Sequence, residues 1–306
     1  MSDHEEQGLL TQVRKHHYEG RIISVDHLED MKKELEDHYR RGAIAEEIYQ
    51  KYISRFTFGP PRELPEAVSL VVIAAPQPMT RVVFCWKGKK IPVTIPPTYL
   101  SETRTRRTVK KLLSEVTHTK YTFLEASVPE KLVAVHSGLA AYGRNNITYF
   151  SEMGSFYIPL VFFSDLQGTG SWHDIHMMES CQKCSACLKK CPTHAITSER
   201  FLINAERCLT LHNEKPSAVP FPQWVDPSWH NCLVGCMQCQ YVCPENRKAT
   251  NWVEEGPVFS EDETALLLEG FLLEELPSET AEKLTHFEME VLLDIIPRNL
   301  KMLLPL

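Results

Sequence analysis

Two periods of apolar residues organise the first 170 positions. Leu28, Met31 and Leu35 recur at helical spacing through residues 26–41, and Gly42 ends that run. Residues 43–54 continue as a second helix. Residues 68–75 are unbroken, rich in β-branched side chains and closed by Pro76, which predicts a buried strand. Residues 82–86 and 91–95 flank Lys87-Gly88-Lys89-Lys90, a hairpin signal. Residues 103–116 set Val109, Leu112, Leu113 and Val116 on one side of a helix, with Arg104, Arg106, Arg107, Lys110 and Lys111 on the other. A strand is predicted at 121–124, and Pro129 suits the first turn of a helix that runs to Gly138. Residues 147–150 and 156–163 read as a strand pair around the turn at 152–155.

The last 55 residues have a different texture. Leu266, Leu267 and Phe271, then Phe287, Val291, Leu292 and Ile295, predict short helices interrupted by Pro277 and Pro297. Thirteen acidic residues stand there against three basic ones, so residues 1–251 carry +3 of the overall −7. The acidic run reads as a solvated face, with a docking surface as the other reading. Mixed patterning over 306 residues, 43% hydrophobic and 24% charged, describes a folded α/β (α+β) protein of more than one domain. The expected division is an α/β domain over 1–170, a cysteine-rich domain over 171–252 and an acidic helical segment over 253–306. A net charge of −7 argues against a generally basic nucleic-acid binder, although the 104–111 helix face offers a local phosphate-binding surface.

Ten cysteines change the picture, because nine fall between Cys181 and Cys243 and only Cys85 lies outside. The chain begins Met1-Ser2-Asp3-His4-Glu5-Glu6, polar and acidic rather than an export signal, and no run reaches the roughly 18 apolar residues of a membrane span. The expectation is a cytoplasmic protein in a reducing compartment, where clustered cysteines serve metal or redox chemistry. Cys181-x2-Cys184-x2-Cys187-x3-Cys191-Pro192 is the bacterial ferredoxin spacing, and Cys232-x3-Cys236-x2-Cys239-x3-Cys243-Pro244 is its near repeat. A tight loop presents three thiolates to one [4Fe–4S] cube, and the cysteine before proline turns away to the other cube. Zinc sites pair two CxxC knuckles instead. By this crossing Cys181, Cys184 and Cys187 take Cys243 as fourth ligand, and Cys236, Cys239 and Cys191 form three-quarters of a second set. Cys232 and Cys208 both remain open for its last place. Cys85 is expected to be a small buried hydrophobe, and His173-x2-His176 is a weak candidate for a metal pair.

Residues 181–196 (CQKCSACLKKCPTHAI), Arg207-Cys208-Leu209-Thr210 and residues 235–246 (GCMQCQYVCPEN) resemble the epoxyqueuosine reductase family. So do Glu130-Lys131, residues 137–145 (SGLAAYGRN) and Gly154-Ser155-Phe156, with a fainter echo in Pro297-Arg298-Asn299-Leu300. The resemblance spans roughly residues 65–250. It implies a corrinoid-binding N-terminal domain and a ferredoxin-like double-[4Fe–4S] domain, an architecture related to that of reductive dehalogenases. Electrons from a ferredoxin- or flavodoxin-like donor would pass through two clusters to cobalamin, which reduces an organic substrate, small molecule or tRNA. It also implies Cys208 as the last cluster ligand, leaving Cys232 as a nearby extra thiol. Gly143, Arg144, Asn145 and Ser155 become cofactor-binding candidates. The family's catalytic aspartate has Glu125 as its nearest counterpart, one residue out of register. The chain departs from the pattern where Ala140-Ala141 replaces Gly-Trp and where His194 replaces the glycine after Cys-Pro-Thr; His194 is a candidate for hydrogen bonding to a cluster. The alternative reading is a non-catalytic carrier that reduces a partner such as a corrinoid protein.

Overall fold

The computed structural model describes residues 2–305. The strands are β1 (Glu19–Ser24), β2 (Ser69–Pro76), β3 (Met79–Trp86), β4 (Lys89–Ile95), β5 (Phe123–Glu125), β6 (Ala141–Tyr142), β7 (Thr148–Tyr149), β8 (Tyr157–Ser164) and β9 (Val253–Phe259). The helices are α1 (Ser2–Lys15), α2 (Leu28–Arg40), α3 (Glu46–Ile48), α4 (Glu102–Val116), α5 (Glu130–His136), α6 (Ala186–Lys190), α7 (Leu209–Asn213), α8 (Gln238–Tyr241), α9 (Glu261–Glu269), α10 (Ser278–His286) and α11 (Ile296–Leu303). They group into two compact units. One holds residues 1–76, 103–184 and 200–205; the other holds 77–102, 185–199 and 206–306. This grouping is not the linear division at 170 and 252. The β3–β4 hairpin and the acidic C-terminal segment share a unit with most of the cysteines.

The first unit is built on a four-stranded antiparallel sheet in the order β1-β2-β8-β5. Successive side chains of a strand point to opposite faces, and here both faces are covered. Leu70, Val72 and Ala74 pack with Leu28 and Met31 of α2 and Leu132 and Val133 of α5. Val71, Ile73 and Ala75 pack with Leu9, Leu10 and Val13 of α1 and Val109 and Leu113 of α4. This explains why β2 and β8 read as continuous apolar runs rather than alternating ones. Two local expectations change. Residues 43–54 form one short α-turn running into a π-helical turn, Tyr49–Ile53. Residues 147–150 and 156–163 are not partners: β7 pairs with β6, β8 pairs with β2 and β5, and only a single bridge joins Phe150 to Gly154. The apolar run of β8 has enough hydrogen-bonding edge for two long-range partners, which a local pattern cannot announce.

The second unit carries a three-stranded sheet in the order β4-β3-β9. The hairpin forms as expected, with Lys87 (φ 49°) and Gly88 (φ 72°) both left-handed in its two-residue turn. The Glu261 carboxylate accepts the N–H groups of both. Cys85 is half-buried, facing away from the core side of Val82 and Phe84. Strand β9 was not expected. Gly256 and Pro257 interrupt its pattern, yet it runs parallel to β3 at a sheet edge, where proline is tolerated, with a register shift between Arg81 and Val83. The C-terminal helices are present. Ser260 and Glu263 form a capping box on α9, and Gly270 (φ 84°) closes it. Pro297 lies in the first turn of α11 and so begins a helix rather than interrupting one. Val291, expected inward, is 67% exposed. Glu261, Asp262, Glu269, Glu274, Glu275, Glu279 and Glu282 are exposed, a solvated acidic face. Leu267, Leu284, Ile296 and Leu300 share one core with Val82, Phe84 and Phe259, and with Leu233 and Val234 from the cysteine-rich segment. No helix among the described residues is long and apolar enough to cross a membrane.

Candidate iron–sulfur site

The cysteines are best followed unit by unit. In the first unit Cys181 ends a 3₁₀ turn and Cys184 follows it, the Cys184 N–H bonding to the Cys181 carbonyl at 3.3 Å. Arg144 clamps this turn: Nη2 donates to the Cys181 carbonyl at 2.7 Å and Nε to that of Cys184 at 3.1 Å. Arg144 is presented by the β6–β7 turn, and the turn is packed within itself. The Asn145 amide donates to the Tyr149 hydroxyl at 2.9 Å while its oxygen accepts the Ile147 N–H at 3.3 Å. A Cβ on Gly143 would stand 2.6 Å from the Tyr149 ring, so glycine is required there by the protein's own packing. Three of the four residues named for a cofactor are therefore engaged inside their own unit, Arg144 on the cysteine loop. Ser155 is buried beside the Phe150–Gly154 bridge.

Glu125 lies at the end of β5 with its side chain 53% exposed, 3.9 Å from the Arg106 guanidinium. Burial, which would make it a poised proton donor, is not its setting. Arg106, expected on the outer basic face, is turned inward (side chain 14% exposed) and forks onto Glu130, whose carboxylate also accepts the Val161 N–H. Arg104, Arg107 and Lys111 remain exposed. His173 and His176 are both exposed. The His173 carbonyl accepts from His136, whose ring stacks on Trp172 at 3.9 Å.

In the second unit α6 carries Cys187 and α8 carries Cys239, and the two short helices pack together. Cys191 caps α6, and Pro192 turns the chain away. Cys191, Cys208 and Cys236 come from three separate chain segments; Cys191 acts electrostatically on both Cys208 and Cys236, and Cys236 acts likewise on Cys232. Burial pushes the Cys208 thiol up to about 11, and the facing Cys236 and Cys191 sulfurs push the same way, against the Thr210 N–H at the start of α7. Cys236 is raised by burial and by Cys191, against the Asn231 amide and the Gln238 N–H. Burial disfavours the thiolate form here unless positive charge stands beside it, which the iron of a cluster supplies. Among the described residues no three His, Cys, Asp or Glu side chains converge to hold a metal ion. Thiolates at the corners of a cube stand apart from one another, so a set suited to a cluster need not suit a single ion.

Several residues that carried no role in the sequence reading fasten this set. Arg207 donates to the Thr193 carbonyl at 3.0 Å and lies over the Trp224 ring, tying the Cys-Pro-Thr turn to the Cys208 segment. Asn213 donates to the Gly235 carbonyl at 2.7 Å. From α11, the Asn299 amide donates to the Asn213 and Leu233 carbonyls at 2.7 and 2.9 Å. The Arg298 guanidinium lies 4.0 Å over Phe221 and donates to the carbonyls of His212, Lys215, Pro216 and Val219. Arg-Asn inside an otherwise apolar stretch (Ile295-Ile296…Leu300) was the available signal, since such residues are buried only when hydrogen-bonded. His194 explains the glycine usual at its place: its φ is 54° and its side chain is exposed, so the conformation, not the ring, is what the position demands. His194→Gly is expected to raise thermal stability by about 0.5–1 kcal/mol in thermal melts, with iron content unchanged.

Residues 180–246 match the family model for a 4Fe-4S double cluster binding domain. An epoxyqueuosine reductase of Gloeobacter violaceus is 33% identical over 127 residues, 41% of this chain and 38% of that protein. The Escherichia coli epoxyqueuosine reductase is 33% identical over 131 residues, 42% of this chain and 33% of that one. The chain thus matches less than two-fifths of the length of these relatives. A Bacillus subtilis epoxyqueuosine reductase structure superposes with a TM-score of 0.66 at 21% identity, covering 99% of this chain and 81% of that one. An epoxyqueuosine reductase with an epoxyqueuosine-modified tRNA-Tyr stem loop gives 0.54 at 21% identity, over 76% of this chain and 62% of that one. The chain therefore has the fold of the epoxyqueuosine reductases and carries within it a 4Fe-4S double cluster binding domain.

Proposed function

We propose that the protein is an iron–sulfur oxidoreductase of the epoxyqueuosine reductase type, and the observation that carries this is the pair of Cys-Pro-terminated cysteine blocks within residues 180–246, which match a 4Fe-4S double cluster binding domain. Cys181, Cys184, Cys187 and Cys243 would hold one [4Fe–4S] cluster, and Cys191, Cys208, Cys236 and Cys239 the other. Such clusters supply single-electron storage and transfer at low potential, fed by a ferredoxin- or flavodoxin-like donor. The chain's own part is to hold the thiolates in place. Arg144 fixes the carbonyls of the first cysteine turn, and Arg207, Asn213 and Asn299 fix the segments around the second set. The terminal acceptor in this reading is cobalamin, carried over from the family resemblance, and the substrate an organic molecule or a tRNA such as the one bound by the structural neighbour. Gly143, Arg144 and Asn145, the candidates for contacting the corrinoid, are engaged within the protein. That engagement, with the exposure of Glu125, favours a second reading: an electron carrier that reduces a corrinoid held by a partner. The proposed setting is the reducing cytoplasm, where thiols remain available to bind iron rather than pair as disulfides.

Anaerobic reconstitution separates these readings. About eight irons per chain are expected, and hydroxocobalamin titrated into the reduced protein should bind and change its visible spectrum. Binding at micromolar concentration with turnover of epoxyqueuosine-containing tRNA supports the enzyme. Full iron with no cobalamin bound leaves the carrier, and zinc in place of iron overturns both.

A further inference from the structure

We propose that the Asn231 carboxamide tunes the second cluster, donating a hydrogen bond to the Cys236 sulfur while keeping Cys232 a protonated thiol that is not a ligand. The proposal rests on the reading that Cys236 is a cluster ligand. The orientation of the amide follows from its backbone partners. Nδ2 donates to the Trp229 carbonyl at 3.1 Å and lies 3.4 Å from the Cys236 sulfur. Oδ1 accepts the Met237 N–H at 3.0 Å and faces the Cys232 sulfur at 3.0 Å. Turned over, the amide would set N–H against the Met237 N–H and oxygen against the Trp229 carbonyl, losing both bonds. With Oδ1 fixed as an acceptor, the Cys232 sulfur is the donor, and only S–H donates. Cys232 is fully buried, so no water competes for that contact. A sulfur that keeps its proton is not a thiolate ligand, which leaves Cys208 for the eighth place.

The consequence is electrochemical. One electron from the ferredoxin- or flavodoxin-class donor enters the oxidised cluster, which becomes one unit more negative. Part of that charge falls on the ligand sulfurs, so a hydrogen bond donated to Cys236 strengthens on reduction and raises the potential. The second cluster becomes easier to reduce than it would be with an apolar residue at 231.

Redox titration of the holoprotein followed by electron paramagnetic resonance tests this. Asn231→Asp keeps an acceptor for Met237 and Cys232 but removes the donor; Asn231→Leu removes all four contacts. In each, one cluster is expected to become about tenfold harder to reduce, about 59 mV for one electron, while the other keeps its potential and iron stays near eight per chain. Cys232→Ala is expected to keep both clusters and both potentials. The wild-type protein supplies a measurement that no misfolded variant can spoil: labelled with amide-15N asparagine and reduced, it should show a 15N coupling in pulsed resonance. Unchanged potentials in both Asn231 variants at full iron, loss of a cluster in Cys232→Ala, or no asparagine nitrogen coupled to the reduced wild type each overturn the proposal. Wild-type protein without iron overturns instead the cluster reading beneath it.

Discussion

Arg298→Met is expected to lower the stability of the second unit by about 3–5 kcal/mol and to weaken retention of the second cluster. Arg298 is buried, and its guanidinium donates to four carbonyls, those of His212, Lys215, Pro216 and Val219. Those carbonyls end α7 and shape the segment that follows, so their loss loosens the helix that starts at Cys208. Methionine keeps most of the stem's volume but loses the guanidinium over Phe221 and all five donors. Arg298→Lys keeps the charge without the planar fork and should recover only part of the loss. Thermal unfolding of the holoprotein and iron per chain are the two measurements. Glu282→Ala, an exposed change on α10, should move stability by less than about 0.5 kcal/mol. If Arg298→Met falls in that same small range, the guanidinium is not what holds the segment.

Cys208→Ser should halve the iron, from about eight to about four per chain. Serine has nearly the same shape, so packing survives, but its hydroxyl is a poor replacement for a thiolate at the corner of a cube. Cys191→Ser should give the same loss, since its sulfur shares the same environment as those of Cys208 and Cys236. Cys85→Ser, in strand β3, should leave iron at about eight. Iron analysis with absorbance of the reconstituted protein decides. A Cys208→Ser protein that retains all its iron would remove Cys208 from the ligand set and return the eighth place to Cys232.

Local features were the ones readable in advance. Residues 68–75 announce β2 because both of its faces are buried, and Lys87-Gly88 announces the hairpin because a two-residue turn needs left-handed backbone. Helix α4 was legible from its stripe of Val109, Leu112 and Leu113, but its inward Arg106 was not. Nothing in a basic face says that one guanidinium will find Glu130 beneath it. Strand β9 was hidden by Gly256 and Pro257, which are harmless only because the strand lies at an edge. The turn at Gly143-Arg144-Asn145 was noticed for its residues, but its internal contacts were not legible: Tyr149 lies beside the glycine, and the arginine donates to the cysteine turn.

Sequence alone determined the chemistry. One cysteine block at ferredoxin spacing and a near repeat of it, each ending in Cys-Pro, specify paired [4Fe–4S] clusters, because the number of residues between thiolates sets what a tight loop can reach. Tertiary structure decided which groups stand around them. Asn231 contacts the sulfurs of both Cys232 and Cys236, Arg207 ties the Cys208 segment to the Cys-Pro-Thr turn, and Asn299, over sixty residues further along the chain, holds the carbonyls of Asn213 and Leu233. Spacing is a property of consecutive residues and can be read from them. The partners of a buried amide or guanidinium are set by long-range packing, which no local pattern records.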